Sequence, residues 1–314
     1  MSARGRLAPS PTGDLHLGGA ATFLVAWLEA RRQDGALILR MEDLDTPRVA
    51  FGAAERILDD LRWLGLGWDE GPDVGGPHAP YLQSERTARY AAALAALITR
   101  GHTYLCDCSR AEIARVASAP HEGEEMRYPG TCREHGMRER PFRRPPAVRF
   151  AVPEHAEVRF RDGVHGVIVE RVHEVRGDFV LRRGDGMFAY QLAVVVDDLE
   201  MKIDHVVRGA DLLSSTARQI LIARALGAEP PSYLHAPLVL GNGGARLAKR
   251  SHGVPVRDHR ATRSAAEMLG LLAHAIGIAD DDAPRSAREL LGGYEPARLS
   301  LAPVCAPGSL LGAI

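Results

Sequence analysis

The sequence predicts an α/β protein whose chain begins with a βαβ unit. The stretch "GRLAP" indicates a short strand that ends at a proline, and "ALILRMED" indicates a second buried strand that ends in carboxylates. Between them, Ala20–Ala30 carries only two polar residues, Thr22 and Glu29, as a helix buried on nearly all sides does. A strand, a glycine-rich turn, a buried helix and a strand in this order make a βαβ unit, whose turn lies at the carboxyl ends of the strands.

Composition and charge fit a globular protein of the reducing cytoplasm. The 314 residues, 46% of them apolar and 25% charged, suffice for an ordinary core and predict more than one domain. A net charge of −1 argues against coating of nucleic acid by the whole surface, although a local basic face stays compatible with it. Four cysteines are too few for a disulfide framework. No apolar run reaches membrane-spanning length, and Pro9, Pro11 and Asp14 interrupt the approach to Leu17–Leu28 that could otherwise imitate a signal peptide.

The turn of the βαβ unit, within "RLAPSPTGDLHLGGA", is a candidate ligand site. Open α/β sheets bind ligands at the carboxyl ends of their strands, and the free N–H groups of a helix N-terminus favour phosphate. Gly18 and Gly19 would let a ligand approach the helix closely, and His16 is placed to point at it. The pattern is neither GxGxxG nor GxxxxGK[ST], which argues against the ordinary dinucleotide and P-loop sites. The alternative is a tight βα turn with an incidental histidine.

Five stretches carry a resemblance to a known family. They are "RLAPSPTGDLHLGG", "LRMEDLDTPR", "FAYQLAVVVDD", "VVRGADLL" and "PLVLGNGGARLAKRS". In order and rough spacing they resemble the catalytic core of the glutamyl-tRNA synthetases, which are class I aminoacyl-tRNA synthetases, from Arg6 to about Ser251. "HLGG" is similar to the HIGH signature with Gly19 in the second histidine slot. "RLAKR" resembles the KMSKS loop, with Arg246 for its first lysine and Ala248 for its serine.

The resemblance implies a Rossmann-like class I catalytic core interrupted by an inserted, zinc-bearing α+β domain and followed by a small helical C-terminal appendage. The expected boundaries are 1–100 for the first half of the catalytic domain, 101–187 for the RNA-facing insertion, 188–255 for the second half with the KMSKS-like loop, and 256–314 for the appendage.

ATP and L-glutamate are the substrates that the resemblance implies, with Mg²⁺ helping to hold the phosphates. In a class I synthetase the amino-acid carboxylate attacks the α-phosphate of ATP, so catalysis is mostly alignment and charge stabilisation. The resemblance assigns catalysis to His16 and Lys249, and ATP binding to Pro9, His16, Gly18, Gly19, Arg246 and Lys249. It assigns glutamate binding to Arg6, Leu7, Ala8, Pro9, Ser10, Glu42, Tyr190 and Arg208.

The chemistry of these side chains suits that assignment. Lys202 and Lys249 are the only lysines in a chain otherwise rich in arginine, and a compact ammonium follows phosphate oxygens more freely than a planar guanidinium. Arginines for one carboxylate and Glu42 for the ammonium suit glutamate, because neutral glutamine would leave buried charges unpaired. Structural alternatives exist for each residue: strand-end solvation for Glu42, a core position for Tyr190 and a surface ion pair for Arg208.

Three cysteines in the insertion predict a zinc site. Cys106, Cys108 and Cys132 supply three thiolates, and tetrahedral zinc needs a fourth ligand. Ligand chemistry alone nominates His121 or His135, whereas the family resemblance implies Tyr128, four residues before the last cysteine. The alternative is three reduced cysteines packed as small hydrophobic side chains.

A basic segment, "CREHGMRERPFRRPP", follows the third cysteine. It is a candidate phosphate-contacting face for RNA, and the alternative is a solvated loop. Its arginines are Arg133, Arg138, Arg140, Arg143 and Arg144.

After the "RLAKR" loop the sequence predicts two short helices, "AAEMLGLLAHAIGI" and "SARELLGGY", where a full glutamyl-tRNA synthetase adds a large anticodon-binding region. A short core with a tyrosine-containing zinc knuckle resembles the glutamyl-queuosine tRNA(Asp) synthetases. These activate glutamate without tRNA and esterify it to queuosine in the anticodon of tRNA(Asp). The alternatives are a truncated enzyme that charges tRNA(Glu) and a non-catalytic tRNA-binding paralogue. The expected partners are ATP, L-glutamate and queuosine-containing tRNA(Asp), with no membrane and no obligate protein partner.

Overall fold

The computed structural model describes residues 3–116, 127–241 and 255–311. None of the helices in these ranges is long and apolar enough to cross a lipid bilayer. The elements, in chain order, are β1 (Arg4–Leu7), α1 (Leu17–Arg32), β2 (Ala36–Leu39), α2 (Ala53–Trp63), α3 (Thr87–Thr99), β3 (Thr103–Cys106), α4 (Arg110–Val116), β4 (Ala147–Phe150), β5 (Glu157–Asp162), β6 (Gly166–Arg171), α5 (Val172–Val175), β7 (Phe179–Arg182), α6 (Tyr190–Glu200), β8 (His205–Gly209), α7 (Thr216–Ala225), β9 (Ser232–Ala236), β10 (Val239–Leu240), α8 (Ala265–Ala275), α9 (Ala287–Leu291) and β11 (Val304–Cys305).

The βαβ unit predicted from the sequence is present. Strands β1 and β2 pair in parallel, from Arg4 opposite Ala36 to Leu7 opposite Leu39, and α1 connects them. The helix begins at Leu17, three residues before the predicted start, so Gly18 and Gly19 lie in its first turn. Most of the helix is buried, as its apolar composition predicts.

A second sheet continues the parallel arrangement beside β1. Its strand order is β6, β5, β9, β8, and β8 pairs in parallel with β9. Strand β8 runs alongside β1, because the Asp204 N–H donates to the Arg4 carbonyl at 3.1 Å and the Arg6 guanidinium reaches the Val207 carbonyl. The carboxyl ends of β1, β2 and β8 therefore meet at one edge, where the active site of an open α/β sheet is expected.

The described parts of residues 101–187 contain two antiparallel units. Strands β3, β4 and β7 form a three-stranded sheet of their own. The hairpin β5–β6 instead joins the parallel sheet, where Asp162 on β5 lies opposite Tyr233 on β9. This hairpin connects the middle of the chain directly to the strands that carry the predicted amino-acid pocket.

The two helices predicted near the C-terminus are α8 and α9. Each begins with a capping box, Ser264 with Glu267 and Ser286 with Glu289. Their apolar side chains share one hydrophobic core with α1, and β11 pairs in parallel with β10. This part of the chain thus completes the core around α1.

Candidate active site

His16 and the two glycines after it form the N-terminus of α1. The His16 side chain caps the helix, because its Nδ1 accepts a hydrogen bond from the Gly19 N–H at 3.1 Å. A Cβ on Gly19 would lie 2.9 Å from Leu15 Cδ1, and one on Gly18 would lie 3.3 Å from His16 Nδ1. Glycine at position 18 leaves room for the capping imidazole, and glycine at position 19 leaves room for the Leu15 side chain. Since Nδ1 is the acceptor, the neutral ring carries its proton on Nε2.

The segment after β1 is held beside the segment after β2. The Arg40 N–H donates to the Leu7 carbonyl at 2.9 Å, and the Glu42 N–H donates to the Pro9 carbonyl at 2.8 Å. These bonds extend the parallel pairing beyond both strands and bring the residues around position 8 next to Glu42.

One cavity of about 340 Å³ at this edge brings most of the predicted substrate residues together. Those that line it are Arg6, Ala8, His16, Gly18, Gly19, Glu42, Tyr190 and Arg208. Pro9 and the exposed Ser10 line an adjoining cavity of about 750 Å³, which shares Ala8, His16 and Gly19 with the first. Leu7 differs from the rest because its side chain is fully buried in the hydrophobic core.

Two buried guanidinium groups face the smaller cavity. Arg6 is 3% exposed and Arg208 is 4% exposed. Burial lowers the pKa of Arg6, and the positive charges of Arg40 and Arg208 lower it further, while Asp198 opposes the shift from 3.6 Å. Within the described residues, the Arg6 Nε–H has no hydrogen-bond acceptor. Two neighbouring cations in a buried cavity favour the binding of an anion.

Glu42 is one of two acidic residues that line the cavity, the other being Asp211. Its carboxylate accepts a hydrogen bond from Arg40 at 3.2 Å. Burial raises the pKa of Glu42, although the charges of Arg40 and Arg6 act against the shift. Arg40 itself is fully buried, and burial alone would lower its pKa. The carboxylates around it, Asp198 foremost, more than offset that effect and raise it.

Arg208 is held by three protein acceptors. Its Nε donates to His235 Nε2 at 3.1 Å, its Nη1 to Gln219 Oε1 at 2.6 Å and its Nη2 to Thr216 Oγ1 at 2.8 Å. Tyr190, the first residue of α6, lines the same cavity, and burial raises the pKa of its phenol.

The buried residues that hold these groups were not predicted from the sequence. Arg40 donates to Asp198 at 2.7 Å, which ties the end of β2 to α6. Two signals were available. Arg40 and Glu42 are two residues apart and so share a face of an extended segment, and "LAVVVDD" places Asp197 and Asp198 at the end of an apolar helical run. A charged group within such a run must find a buried partner.

The three cysteines of the predicted zinc site converge. Their Sγ atoms all lie within 4.8 Å of one another, and Cys108 Sγ is 3.5 Å from Cys132 Sγ. Two sulfurs of a tetrahedral zinc site lie about 3.8 Å apart when each Zn–S bond is about 2.3 Å. The Tyr128 hydroxyl lies 3.3 Å from Cys106 Sγ and 3.6 Å from Cys108 Sγ. Three thiols and one phenol oxygen therefore surround one point, as the donor set of a tetrahedral cation would.

Of the two histidine alternatives, only His135 lies in the described part of the chain, and it does not join this cluster. His135 is exposed and is not among the groups that converge with the cysteines. His121 lies outside the described residues, as do Arg246 and Lys249 of the KMSKS-like loop.

A larger cavity of about 1030 Å³ runs from the active site to the cysteine cluster. Ser10, Glu42 and Tyr190 line one end, and Cys108 and Arg110 line the other. A polar substrate much larger than an amino acid could therefore contact both sites.

The basic segment after Cys132 is not a bare cationic face. Arg140 and Arg143 both bond the buried carboxylate of Asp107, which lies between two of the cysteines. Arg133 bonds Asp178, and Arg144 lies 3.4 Å from Glu112. Four of the five arginines are therefore paired with carboxylates within the protein, which reduces the charge they offer to phosphate.

The chain belongs to the family described as "tRNA synthetases class I (E and Q), catalytic domain", whose model matches residues 2–273. It is therefore a ligase, and the α/β class predicted from its sequence is confirmed.

Individual relatives differ in how much of their own length this chain matches. The chain is 48% identical to the "Glutamyl-Q tRNA(Asp) synthetase" of Nitratidesulfovibrio vulgaris, over 98% of this chain and 97% of that protein. It is also 48% identical to the "Glutamate–tRNA ligase" of Anaeromyxobacter sp. (strain K), over 82% of this chain but 54% of that protein. A crystal structure of a glutamate tRNA ligase from Elizabethkingia meningosepticum, in complex with its amino acid, superposes with a TM-score of 0.81 at 27% identity, covering 99% of this chain and 68% of that one.

Proposed function

We propose that the protein activates L-glutamate with ATP in the absence of tRNA and then transfers it to queuosine in the anticodon of tRNA(Asp). In the first step a carboxylate oxygen of glutamate attacks the α-phosphorus of ATP, and pyrophosphate leaves. In the second step a hydroxyl of the queuosine cyclopentenediol attacks the activated carbonyl, loses its proton and forms an ester, while AMP leaves.

The observation that carries this proposal is the shared cavity. Residues from five separate stretches of the sequence meet there, with Arg6, Arg208, Glu42 and Tyr190 on the amino-acid side and His16 at the helix N-terminus. Free N–H groups and the dipole at that terminus favour phosphate, so one cavity presents an amino-acid pocket next to a phosphate site.

Each charged group then takes a part of glutamate. Arg6 and Arg208 bind the side-chain carboxylate, Glu42 binds the α-ammonium, and Tyr190 closes the pocket as a polar contact. Glutamine would leave the two guanidinium groups without an anion, and a site built around buried charges rejects a ligand that leaves them unpaired. Ala8, Pro9 and Ser10 complete the wall around the reacting carboxylate, and Leu7 contributes only backbone because its side chain is in the core.

ATP lies at the N-terminus of α1 in this proposal. His16 caps this terminus and contacts the phosphates from the cavity wall, and Gly18 and Gly19 allow the nucleotide to approach. Lys249 and Arg246 add the mobile positive charges that follow the leaving pyrophosphate, and Mg²⁺ enters with ATP as its counter-ion. The assignment of Lys249 rests on the sequence motif.

The cysteine cluster holds a structural zinc ion in this proposal. Cys106, Cys108, Cys132 and Tyr128 are the ligands, since thiolates and oxygen form closed tetrahedral zinc sites. When bound, the ion would cross-link the end of β3 to the loop around Cys132.

The RNA substrate is proposed from two supports. Relatives that match along nearly the whole chain, such as the one from Nitratidesulfovibrio vulgaris, carry the name Glutamyl-Q tRNA(Asp) synthetase. The cavity of about 1030 Å³ offers a path from the activated carboxylate toward the cysteine cluster, with Arg110, Arg149 and Arg183 among its lining residues. Such basic side chains suit a polyanion.

Glutamate-dependent exchange of pyrophosphate into ATP, measured without tRNA, is the direct test. The protein should support exchange with glutamate and not with glutamine. Arg6→Gln should raise the glutamate KM, because the guanidinium is lost from a buried site, whereas the exposed Arg171→Gln should not.

Three results distinguish the alternatives. No exchange with any amino acid would indicate a non-catalytic paralogue. Exchange that requires tRNA, with charging of tRNA(Glu), would indicate a truncated tRNA(Glu)-charging enzyme. Exchange without tRNA, followed by transfer to queuosine-containing tRNA(Asp), is the expected result.

A further inference from the structure

A buried carboxylate and a buried histidine stand behind Arg208. The side chains of Asp162 and His235 are both fully buried, and His235 Nδ1 lies 2.6 Å from Asp162 Oδ2. On the other side of the ring, His235 Nε2 lies 3.1 Å from Arg208 Nε. The three groups form a line from strand β5 through strand β9 to strand β8.

The donors in this line determine the histidine tautomer. A guanidinium nitrogen can only donate, so His235 Nε2 must be the acceptor of the Arg208 bond. The proton of the neutral ring is then on Nδ1 and is donated to Asp162. The Thr216 hydroxyl, 3.2 Å from the same Nε2, accepts from Arg208 and can direct its own proton to the ring. Burial lowers the pKa of His235, and the positive charge of Arg208 lowers it too, against the pull of Asp162, so the ring is neutral.

Arg208 keeps N–H donors that a ligand in the cavity can use. Three of its five N–H groups are used by His235, Gln219 and Thr216 among the described residues. Each bond comes from a different side chain, so the guanidinium plane cannot rotate without breaking one. Two terminal N–H groups are left, on a side chain that lines the cavity together with Arg6 and Glu42.

We infer that Asp162 and His235 are positioning residues for amino-acid selection: Asp162 holds His235 in the tautomer that accepts from Arg208, and this aims the free donors of Arg208 at the substrate carboxylate. The inference rests on the proposed role of Arg208 in glutamate binding. It also gives the β5–β6 hairpin a role, because Asp162 is the last residue of β5 and its Oδ1 caps the turn by accepting from the Val164 and His165 N–H groups.

Asp162→Asn separates the two roles of this carboxylate. Asparagine keeps one oxygen for the turn, while its NH₂ group replaces Oδ2 opposite the ring. The ring must then accept at Nδ1 and carry its proton on Nε2, where it would point at the Nε–H of Arg208. A change of tautomer forced by the same substitution is a known way to disable a histidine without removing it. Arg208 should move, while the turn stays closed.

Kinetics of exchange supply the first readout. Asp162→Asn should raise the glutamate KM by about 10-fold or more, because a buried donor loses its acceptor, and should leave the ATP KM within about twofold. The ratio of kcat/KM for glutamate to that for glutamine should fall. The control is Asp178→Asn, another buried carboxylate that also accepts from a backbone N–H, of Val152, but does not contact Arg208. It should leave the glutamate KM unchanged.

A double variant tests whether Asp162 acts on Arg208 through His235. In His235→Gln the amide oxygen can take the place of Nε2 and accept from Arg208 without help from Asp162. Adding Asp162→Asn to His235→Gln should therefore cost far less than it costs the wild-type protein. Additive losses, or an equal rise of the glutamate and ATP KM values in Asp162→Asn, would overturn the inference.

Nitrogen NMR of the histidine ring supplies a readout that needs no activity. In the wild-type protein, ¹⁵N–¹H correlations should show His235 protonated on Nδ1, and in Asp162→Asn on Nε2. An Nε2–H tautomer in the wild-type protein would refute the proposed positioning of Arg208 by Asp162 and His235, even if the enzyme selects glutamate. Conversely, the expected tautomer in a protein that shows no glutamate-dependent exchange would refute the proposed function and leave the geometry in place.

Discussion

At the scale of single residues, the candidate active site contains buried charges that are costly unless a ligand compensates them. Arg6, Arg40, Glu42 and Asp198 lie within one network in which the ion pairs are almost wholly removed from water. Burying an ion pair seldom stabilises a fold, because the loss of hydration offsets the attraction. Such groups are useful when they are arranged in advance for the charges of a ligand, which then need no reorganisation. Substrate binding therefore explains the network better than stability does.

Glu42 should make glutamate binding sensitive to acid. Burial raises the pKa of Glu42, so its carboxylate takes up a proton at a higher pH than an exposed glutamate, which titrates near about 4.3. Only the ionised form can bind the α-ammonium. The glutamate KM should therefore rise as the pH falls through the raised pKa, before exposed carboxylates titrate. Measuring the glutamate KM at saturating ATP between about pH 8 and about pH 5 gives the profile.

Glu42→Gln is the matched variant for that profile. It should show a raised glutamate KM that no longer depends on pH in this range, because the titrating group is gone. A wild-type KM that stays constant down to the pH at which exposed carboxylates titrate would argue that Glu42 does not contact the ammonium.

At the scale of secondary-structure elements, the first turn of α1 combines a helix cap with a proposed phosphate site. His16 satisfies the Gly19 N–H through Nδ1, and the same residue lines the cavity proposed to bind ATP. The same side chain could therefore matter for folding, for catalysis or for both.

Two substitutions of His16 separate these roles. His16→Ala should lose about 0.5–2 kcal/mol of unfolding free energy, as the loss of an N-cap does, and lose exchange activity. His16→Asn should keep most of the stability, because the asparagine oxygen caps a helix well, but lower the exchange rate by about 10²-fold through loss of a charge-stabilising donor. Urea unfolding and exchange kinetics measure the two effects. Full exchange activity in His16→Asn would show that His16 acts only as a helix cap.

The cysteine cluster is a second local unit whose role can be tested separately from that of α1. The purified protein should carry about one equivalent of zinc, and Cys132→Ser should lose it, because the site would keep only two thiolates. Cys305→Ser is the control, since Cys305 is exposed on β11 and does not belong to the cluster. Transfer to RNA should suffer more than glutamate activation. The zinc content is measured by metal analysis of protein prepared without chelators. Protein that contains no metal would contradict the proposed zinc site.

Tyr128 can be tested against the histidine alternative in the same preparation. Tyr128→Phe should weaken zinc binding, whereas His135→Ala should not, because His135 is exposed and lies outside the group of converging cysteines.

Local patterns and distant pairings differ in how far the sequence predicted them. The βαβ unit, the helix that follows "DLH" and the convergence of the cysteines each depend on patterns or motifs within short stretches of chain. The partners of the active-site arginines do not. Arg40 and Asp198 are 158 residues apart, and Asp162 and His235 are 73 residues apart. Their pairing depends on which strands and helices become neighbours, and no local pattern specifies that.

At the scale of the whole molecule, the C-terminal helices belong to the same core as α1, the helix at the proposed ATP site. Leu272 on α8 is fully buried in the cluster that includes Leu17 and Leu24 of α1. The three tryptophans, Trp27, Trp63 and Trp68, lie in or against this cluster and report on it. The part of the chain predicted as an appendage should therefore unfold together with the active-site helix.

Leu272→Ala tests that cooperativity. The substitution should cost about 2–5 kcal/mol, as deletion of a buried leucine side chain usually does. Tryptophan fluorescence and far-ultraviolet circular dichroism should still report one coincident urea transition. Leu301→Ala, at a leucine that is 68% exposed, should change little. Two separate urea transitions in Leu272→Ala would show that the C-terminal helices fold independently of α1.

The proposed RNA acceptor is also a question for the whole molecule, because in the proposed function it depends on which part of a tRNA would enter the large cavity. A terminal ribose and the queuosine cyclopentenediol both offer a cis-diol to the activated carbonyl, so the acceptor chemistry can be the same for either. The difference lies in the shape presented to the protein. Four arginines in the segment after Cys132 are paired with carboxylates of the protein, and so is Arg183 in the wall of the large cavity, which pairs with Asp185. The exposed Arg110 in the same wall makes no ion pair among the described residues and is therefore the better candidate for contact with phosphate.

Labelled glutamate should therefore be transferred to queuosine-containing tRNA(Asp) and to its isolated anticodon stem-loop, because the acceptor diol is in that loop. The same stem-loop with unmodified guanosine should accept none, since it lacks the cyclopentenediol. Rising salt should weaken binding, and Arg110→Gln, in the wall of the large cavity, should reduce the slope of that dependence by about one phosphate contact. Filter-bound label and binding titrations at several salt concentrations measure both. Transfer to tRNA(Glu) but not to queuosine-containing tRNA(Asp) would refute the proposed acceptor and leave the glutamate-activation step to be judged by pyrophosphate exchange alone.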